Sequence, residues 1–233
     1  VTQAIILAGG LGTRLRSIVP DLPKPMAPVA GRPFLAWVLD RLIESGFECA
    51  VLAVGYRHEA IRNHFGDNYR GLALHYSVEN TPLGTGGAIR LAADHATAFP
   101  VFVLNGDTFL ELDYQAMLAA HQQAGGHLSV AACRVEDASR YGALELEADR
   151  IQGFLEKGGS GPGFINAGVY LISPEILQLI PAGEPFSFEQ QLLVPRVQEI
   201  RPLAFRTEGR FIDIGIPEDF RRAQQLFASP NQA

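Results

Sequence analysis

Directly after the apolar run Ala4-Ile5-Ile6-Leu7-Ala8 the chain reads Gly9-Gly10-Leu11-Gly12-Thr13-Arg14. Glycines let a backbone take conformations closed to other residues and approach a ligand closely. Successive N–H groups in such a turn can surround phosphate oxygens, and Arg14 adds a planar, permanently charged donor suited to phosphate. Further on, Pro23-Lys24-Pro25 fixes a lysine between two prolines. A bare glycine pair is usually only a tight strand-to-loop turn. Together with Arg14 and Lys24 it reads as a clamp for a polyanion. The loop is neither G-x-G-x-x-G, because Leu15 stands three after Gly12, nor a Walker A loop, because no Gly-Lys-Ser/Thr follows.

Two aspartates add a second chemistry. Asn105-Gly106-Asp107 closes the strand-like Pro100 to Leu104, and Asp213 follows the strand-like Arg210-Phe211-Ile212. Either alone is a common turn former or helix cap. As a pair they suit Mg2+, which is held through few carboxylates plus substrate phosphates. Glu79 to Ala88, containing Pro82, Gly84 and Thr85, lies between a strand and a helix. Helix N-termini favour anions and glycines admit a planar base; a loop with a Thr85 cap accounts for the segment equally well. Cys49 and Cys133 form no zinc or redox pattern and read as buried free thiols. His58 and His64 fit a solvated helix face.

These residues need a scaffold of alternating elements. Strand patterns at Ala4–Ala8, Ala50–Val54, Leu72–Val78 and Pro100–Leu104 alternate with helical patterns at Pro33–Ile43, Arg57–Phe65 and Gly86–Ala96. That order predicts a mostly parallel sheet with helices on both faces, and ligands in such sheets sit beyond the carboxyl ends of the strands. The second half is less regular. A helix is expected over Leu112–Gln123, strands over His127–Cys133, Ala143–Leu146, Ile151–Leu155 and Ala167–Ile172, and helices over Pro174–Leu179, Phe188–Val197 and Pro217–Phe227. Short spacings there imply hairpins or a mixed region, with Gly158 to Gly163 a glycine-rich loop. The polar tail from Ser229 is expected to fray. With no repeat and no linker, one domain over 1–233 is expected, mainly nucleotide-binding over 1–125 and mainly acceptor-binding over 126–228.

Composition narrows the partners. A net charge of −6 without a Lys/Arg run argues against a general nucleic-acid binder. No stretch reaches the roughly 20 apolar residues of a membrane span, and Ala4–Ala8 is too short for a signal-peptide core, so the cytoplasm is the default expectation. A homodimer is expected only because symmetric homo-oligomers are common.

GGLGTRLRSIVPDLPKPM resembles the long signature of the sugar-1-phosphate nucleotidyltransferases, and the resemblance runs from Ile5 to about Phe220. It implies a Rossmann-like three-layer α/β/α fold. It assigns the triphosphate and the departing pyrophosphate to Arg14 and Lys24, and Mg2+ to Asp107 and Asp213, with Arg14, Lys24 and Asp107 as catalytic residues. The implied nucleotide set also takes in Leu7, Ala8, Gly9, Gly10, Gly12, Thr13, Glu79, Pro82, Gly84, Thr85 and Asn105. The implied sugar-phosphate set is Gly142, Glu156, Lys157, Asn166 and Asp213. The loop Pro-Leu-Gly-Thr-Gly-Gly is most like members that use GTP, above all bacterial heptose-1-phosphate guanylyltransferases, and also resembles mannose-1-phosphate guanylyltransferases. The expected reaction joins an NTP and a sugar 1-phosphate and releases pyrophosphate, for surface polysaccharide synthesis. Uridylyl, thymidylyl or cytidylyl transfer is the nearer alternative. A NAD(P)-dependent Rossmann oxidoreductase and a non-catalytic nucleotide sensor are the alternatives of other classes; the missing third glycine disfavours the first, and the full set of charged residues disfavours the second. No hexapeptide repeat follows Phe227, so no β-helix domain is expected in this polypeptide.

Overall fold

The computed structural model describes residues 2–10, 22–55, 57–155 and 161–228. In chain order these form β1 (Gln3–Leu7), a 3-10 turn (Lys24–Met26), β2 (Pro28–Val29), β3 (Arg32–Pro33), α1 (Phe34–Glu44), β4 (Cys49–Val54), α2 (His58–Phe65), β5 (Asn68–Tyr69), β6 (Leu72–Val78) and α3 (Gly84–Ala92). Then come β7 (Val101–Asn105), β8 (Thr108–Leu110), α4 (Tyr114–Ala124), β9 (Leu128–Val135), β10 (Ala143–Glu147), β11 (Arg150–Leu155), β12 (Gly163–Ile172) and α5 (Pro174–Leu177). A π-helical stretch, Phe188–Leu193, runs into α6 (Val194–Ile200), followed by β13 (Leu203–Thr207), β14 (Phe211–Asp213) and α7 (Pro217–Ala228).

One ten-stranded sheet runs through both halves of the chain in the order β10-β11-β13-β9-β12-β7-β1-β4-β6-β5. Strands β7, β1, β4 and β6 are parallel neighbours, so their carboxyl ends open on one edge. Strand β12 then runs antiparallel to both β7 and β9, and β10 pairs antiparallel with β11. The sheet is therefore mixed: parallel pairing dominates the first half, and in the second half only β9–β13 is parallel. The antiparallel pairings have two sources: a short link closes the β10–β11 hairpin, and β12 returns between β7 and β9 against the direction of both.

Alternation along the central strands splits the apolar residues between two faces. Ala4, Ile6, Phe102 and Leu104 join one core with Phe34, Leu39, Ile61, Met117 and Phe220 from α1, α2, α4 and α7. Ile5, Val101 and Val103 join the other with Ile89, Ile176, Phe188 and Val197 from α3, α5 and the 188–200 segment. Each large side chain fully withdrawn from water contributes about 1.5–3 kcal/mol. Cys49 and Cys133 are buried and unpaired, as expected. No helix among the described residues is long and apolar enough to cross a membrane.

Several elements depart from the periodicity. Helix α4 starts at Tyr114 because Asp113 caps it, its carboxylate accepting from the Ala116 N–H at 2.9 Å. Helix α3 begins at Gly84, earlier than Gly86. Strand β12 extends back to Gly163, and β8 and β13 carry no sequence expectation at all; both are short and take their pairing from partners distant in the chain. The tail from Ser229 and residues 158–160 of the Gly158 to Gly163 loop lie outside the described residues.

His121 is buried, its ring nitrogens within hydrogen-bond reach of Ser129 Oγ (2.8 Å) and Ser173 Oγ (3.2 Å). Burial, with His127 second, pulls its pKa below the ordinary value. The unfolded chain therefore takes up a proton near pH 6.5 that the folded chain refuses. The stability tied to a neutral His121 is complete above about pH 6.5 and lost as pH falls towards its folded pKa, at no more than roughly 1.4 kcal/mol per pH unit. Urea unfolding across pH 5 to 7 should show this slope, and His121→Gln should flatten it.

Candidate active site

The two aspartates are set side by side by backbone pairing. Strand β7 ends at Asn105, Gly106 turns, and β8 leaves at once to pair antiparallel with β14, placing Asp213 opposite Thr108. The Ile214 N–H then donates to the Asp107 carbonyl at 3.0 Å. Gly106 is where the turn meets β1: its N–H donates to the Leu7 carbonyl at 2.9 Å, and a Cβ there would lie 2.7 Å from that oxygen.

Lys24 enters from the 3-10 turn, whose Pro25 and Met26 are buried. Its ammonium forms an ion pair with Asp107 Oδ2 and lies 3.6 Å from Asp213 Oδ1. Gly215 closes the arrangement by donating its N–H to Asp213 Oδ1 at 2.7 Å; a Cβ there would crowd Asp213 Oδ1 at 2.9 Å and Lys24 Nζ at 3.1 Å. Burial first, and Asp107 second, hold the Asp213 carboxyl above its ordinary pKa, while Lys24 and the Gly215 N–H pull it down. Two hard oxygen donors beside a cation suit Mg2+, which needs only one or two carboxylates when phosphates complete its shell. Among the described residues no cluster of three such ligands occurs, so a full protein cage for a metal is not what this site offers.

Two cavities meet at this point. The first, about 680 Å³, is lined by Leu7, Gly9, Gly10, Glu79, Pro82, Gly84, Thr85, Asn105 and Asp107, all expected nucleotide contacts, together with Gly55 and His58. The second, about 650 Å³, is lined by Gly142, Asn166 and Asp213 from the expected sugar-phosphate set, by Lys24, which was expected on the nucleotide side, and by Arg140, Tyr141, Glu189 and Asp219. Asn105 and Asp107 belong to both. A site of this shape can bring two anionic ligands together over one charged junction. Ala8 is buried and bonds to the Ala53 carbonyl instead of lining either cavity. Gly12, Thr13, Arg14, Glu156 and Lys157 lie outside the described residues.

The loop over the first cavity behaves differently from expectation. The glycines that would admit a planar base admit protein backbone. A Cβ on Gly84, Gly86 or Gly87 would strike the 184–186 segment within 3.0 Å. The Gly86 and Gly87 N–H groups both donate to the Phe186 carbonyl, at 2.8 and 3.2 Å, so these helix-start donors are spent internally. Thr85 does not cap α3; its hydroxyl accepts from the Phe188 N–H at 2.9 Å. What faces the cavity instead is Glu79. One of its oxygens accepts from the Leu83 N–H at 3.0 Å, and the other fills space that only glycine leaves at Gly9 and Gly55. Burial raises its pKa, with the Leu83 N–H opposing.

Comparison with known proteins places this geometry. Residues 3–229 match the Nucleotidyl transferase family. The chain belongs to that family. It is 41% identical to D-glycero-alpha-D-manno-heptose 1-phosphate guanylyltransferase of Aneurinibacillus thermoaerophilus, over 96% of this chain and 97% of that one. The enzyme of the same name from Campylobacter jejuni is 39% identical, over 94% and 96%. The crystal structure of HddC from Yersinia pseudotuberculosis complexed with GMP-PN has a TM-score of 0.87 at 38% identity, covering 97% of this chain and 100% of that one. The fold is thus the Rossmann-like α/β fold of the nucleotidyltransferases.

Gly55, Glu189, Arg140 and Asp219 had no sequence signal strong enough to single them out. Gly55 was reachable, since it follows β4 at the same carboxyl edge as Gly9. The others come from the irregular second half, where spacing does not fix which side chain faces the site. Gly106→Ala should push Asp107 off β1 and lower nucleotidyl-transfer kcat by about 100-fold with an unchanged far-UV circular dichroism spectrum; steady-state kinetics will measure it.

Proposed function

We propose that this nucleotidyltransferase transfers a guanylyl group from GTP to D-glycero-D-manno-heptose 1-phosphate, giving GDP-heptose and pyrophosphate for surface polysaccharide synthesis. The observation that carries the reading is the meeting of two cavities at Asp107, in a chain about 40% identical to heptose 1-phosphate guanylyltransferases over nearly its full length. The first cavity takes the nucleotide and the second the sugar phosphate, so residues 1–125 serve mainly the nucleotide and residues 126–228 mainly the sugar phosphate. The two cores on opposite sheet faces support a three-layer α/β/α arrangement. A cytoplasmic setting goes with a nucleoside triphosphate substrate, and a homodimer remains an expectation from symmetry alone.

The sugar phosphate is an anion at neutral pH and attacks the α-phosphorus without a general base. What the chain must supply is alignment and neutralisation of charge. In this reading Arg14 and Lys24 hold the triphosphate and steady the leaving pyrophosphate, and Lys157 receives the sugar phosphate. Asp107 and Asp213 would hold the Mg2+. When bound, the ion neutralises phosphate charge on both substrates. Lys24 is already aligned on these carboxylates, so a small side-chain movement carries it to a phosphate oxygen beside them. Asn105 and Asp107, at the shared wall, fix the line of attack.

Glu79 supports GTP over the pyrimidine nucleotides. An ionised carboxylate only accepts, and guanine offers two neighbouring donors, the ring N–H and the exocyclic amine. Because burial raises the Glu79 pKa, the accepting form is lost at a higher pH than for an ordinary glutamate near 4.3.

An NTP-by-sugar-phosphate matrix with Mg2+, read by pyrophosphate release, tests the assignment: GTP with the heptose 1-phosphate should lead, and absence of release from every pair sinks it. Mannose 1-phosphate is the second substrate to expect, and an NADH fluorescence titration should show no binding. Asp107→Asn should abolish Mg2+-dependent turnover and leave the melting profile intact; near-wild-type activity would remove the metal role. Glu79→Gln should raise the GTP KM about 10-fold or more with the sugar-phosphate KM unmoved, and in the wild type the GTP KM should climb on the acid side.

A further inference from the structure

Asn166, expected in the sugar-phosphate set, lines the second cavity, and its amide is hydrogen-bonded within that wall. Its Oδ1 accepts from the Gly168 N–H at 3.1 Å, and its Nδ2 donates to the Tyr170 hydroxyl at 2.9 Å and to Glu189 Oε1 at 3.1 Å. The Tyr170 hydroxyl donates to the same Oε1 at 2.6 Å. Tyr170 is fully buried, and burial together with Glu189 keeps its hydroxyl protonated and able to donate. Both donors thus converge on one oxygen of a half-buried carboxylate that lines the cavity. Its other oxygen, Oε2, takes no hydrogen bond among the described residues.

The backbone under Glu189 is equally fixed. Glu189 sits in the π-helical stretch, a geometry that recurs at functional positions. The segment leading into it is held by Gly86 and Gly87 on the Phe186 carbonyl and by Thr85 on the Phe188 N–H. A carboxylate with one oxygen locked from behind and the other in a polar cavity is built to accept from a ligand hydroxyl.

We infer that Glu189 reads a hydroxyl group of the incoming sugar 1-phosphate through Oε2, with Tyr170 and Asn166 as positioning residues. Glu189 is then a specificity-determining residue for the acceptor, and Asn166 acts through it. This rests on the second cavity being the sugar-phosphate site.

The test is steady-state kinetics of the full chain with GTP and the heptose 1-phosphate, and with analogues each lacking one hydroxyl. Glu189→Gln should raise the sugar-phosphate KM about 10- to 100-fold and leave the GTP KM unchanged. With the one analogue that lacks the hydroxyl read by Glu189, wild type and variant should converge. Tyr170→Phe should show the same KM split to a smaller degree, and Glu189→Asp provides a second route if the Gln variant does not fold. An unchanged sugar KM, or an equal loss with every analogue, overturns the inference while the functional reading stands. Wild-type protein that turns over no sugar 1-phosphate overturns both.

Discussion

Everything at the centre of this protein depends on holding Asp107 and Asp213 within reach of one ammonium group. Two carboxylates at such a distance repel, and the raised pKa of Asp213 records part of that cost. Lys24 offsets it, paired with Asp107 and 3.6 Å from Asp213. None of the three could hold this geometry on a flexible segment. Asp107 hangs from the end of a buried parallel strand, Asp213 from a strand paired to β8, and Lys24 from a turn anchored by buried neighbours. Rigid backbone converts like-charge repulsion from a disruptive force into a local demand for cations, which a polyphosphate with its metal can meet.

The same economy explains the shape of the site. Phosphate esters are charged before they bind, so the chain has little proton chemistry to perform and much positioning. The carboxyl edge of the parallel strands supplies the first cavity, with glycine where the backbone must pass close to Glu79. The antiparallel region supplies the second cavity, walled in part by β12 and the 188–200 segment. Asn105 and Asp107 stand where the two kinds of sheet meet, because β12 pairs directly with β7. The change from parallel to antiparallel pairing is therefore also the boundary between the two ligand spaces.

A second consequence is mechanical. The first turn of α3, Gly84-Thr85-Gly86-Gly87, beside the first cavity, grips the backbone at Phe186 and Phe188, and Glu189 follows immediately. Side chains at those glycines would clash with that backbone, so the two cavities share a common strut. The wall of the second cavity is thus held in part by the loop over the first, through contacts about a hundred residues apart in the chain.

How much of this was legible in one dimension differs by feature. The apolar run ending in glycines, the proline-flanked Lys24 and the aspartates closing strand-like stretches carry their meaning locally, because strand burial, proline geometry and turn chemistry are properties of neighbouring residues. From these alone came the first-half topology and the residues that line the junction. Strands β8 and β13 could not be read, being short and stabilised by partners far along the chain. Nor could the sequence say that Gly86 and Gly87 pack against the Phe186 segment, that Thr85 binds a backbone N–H, or that the Asn166 amide holds Glu189. Those outcomes depend on which distant segment arrives at a given face, and only tertiary packing decides that. The sequence by itself determined the charged groups and the strand ends that carry them; the tertiary structure decided which polar atoms remain available to a ligand, since each one is either satisfied by the fold or left for the substrate to satisfy.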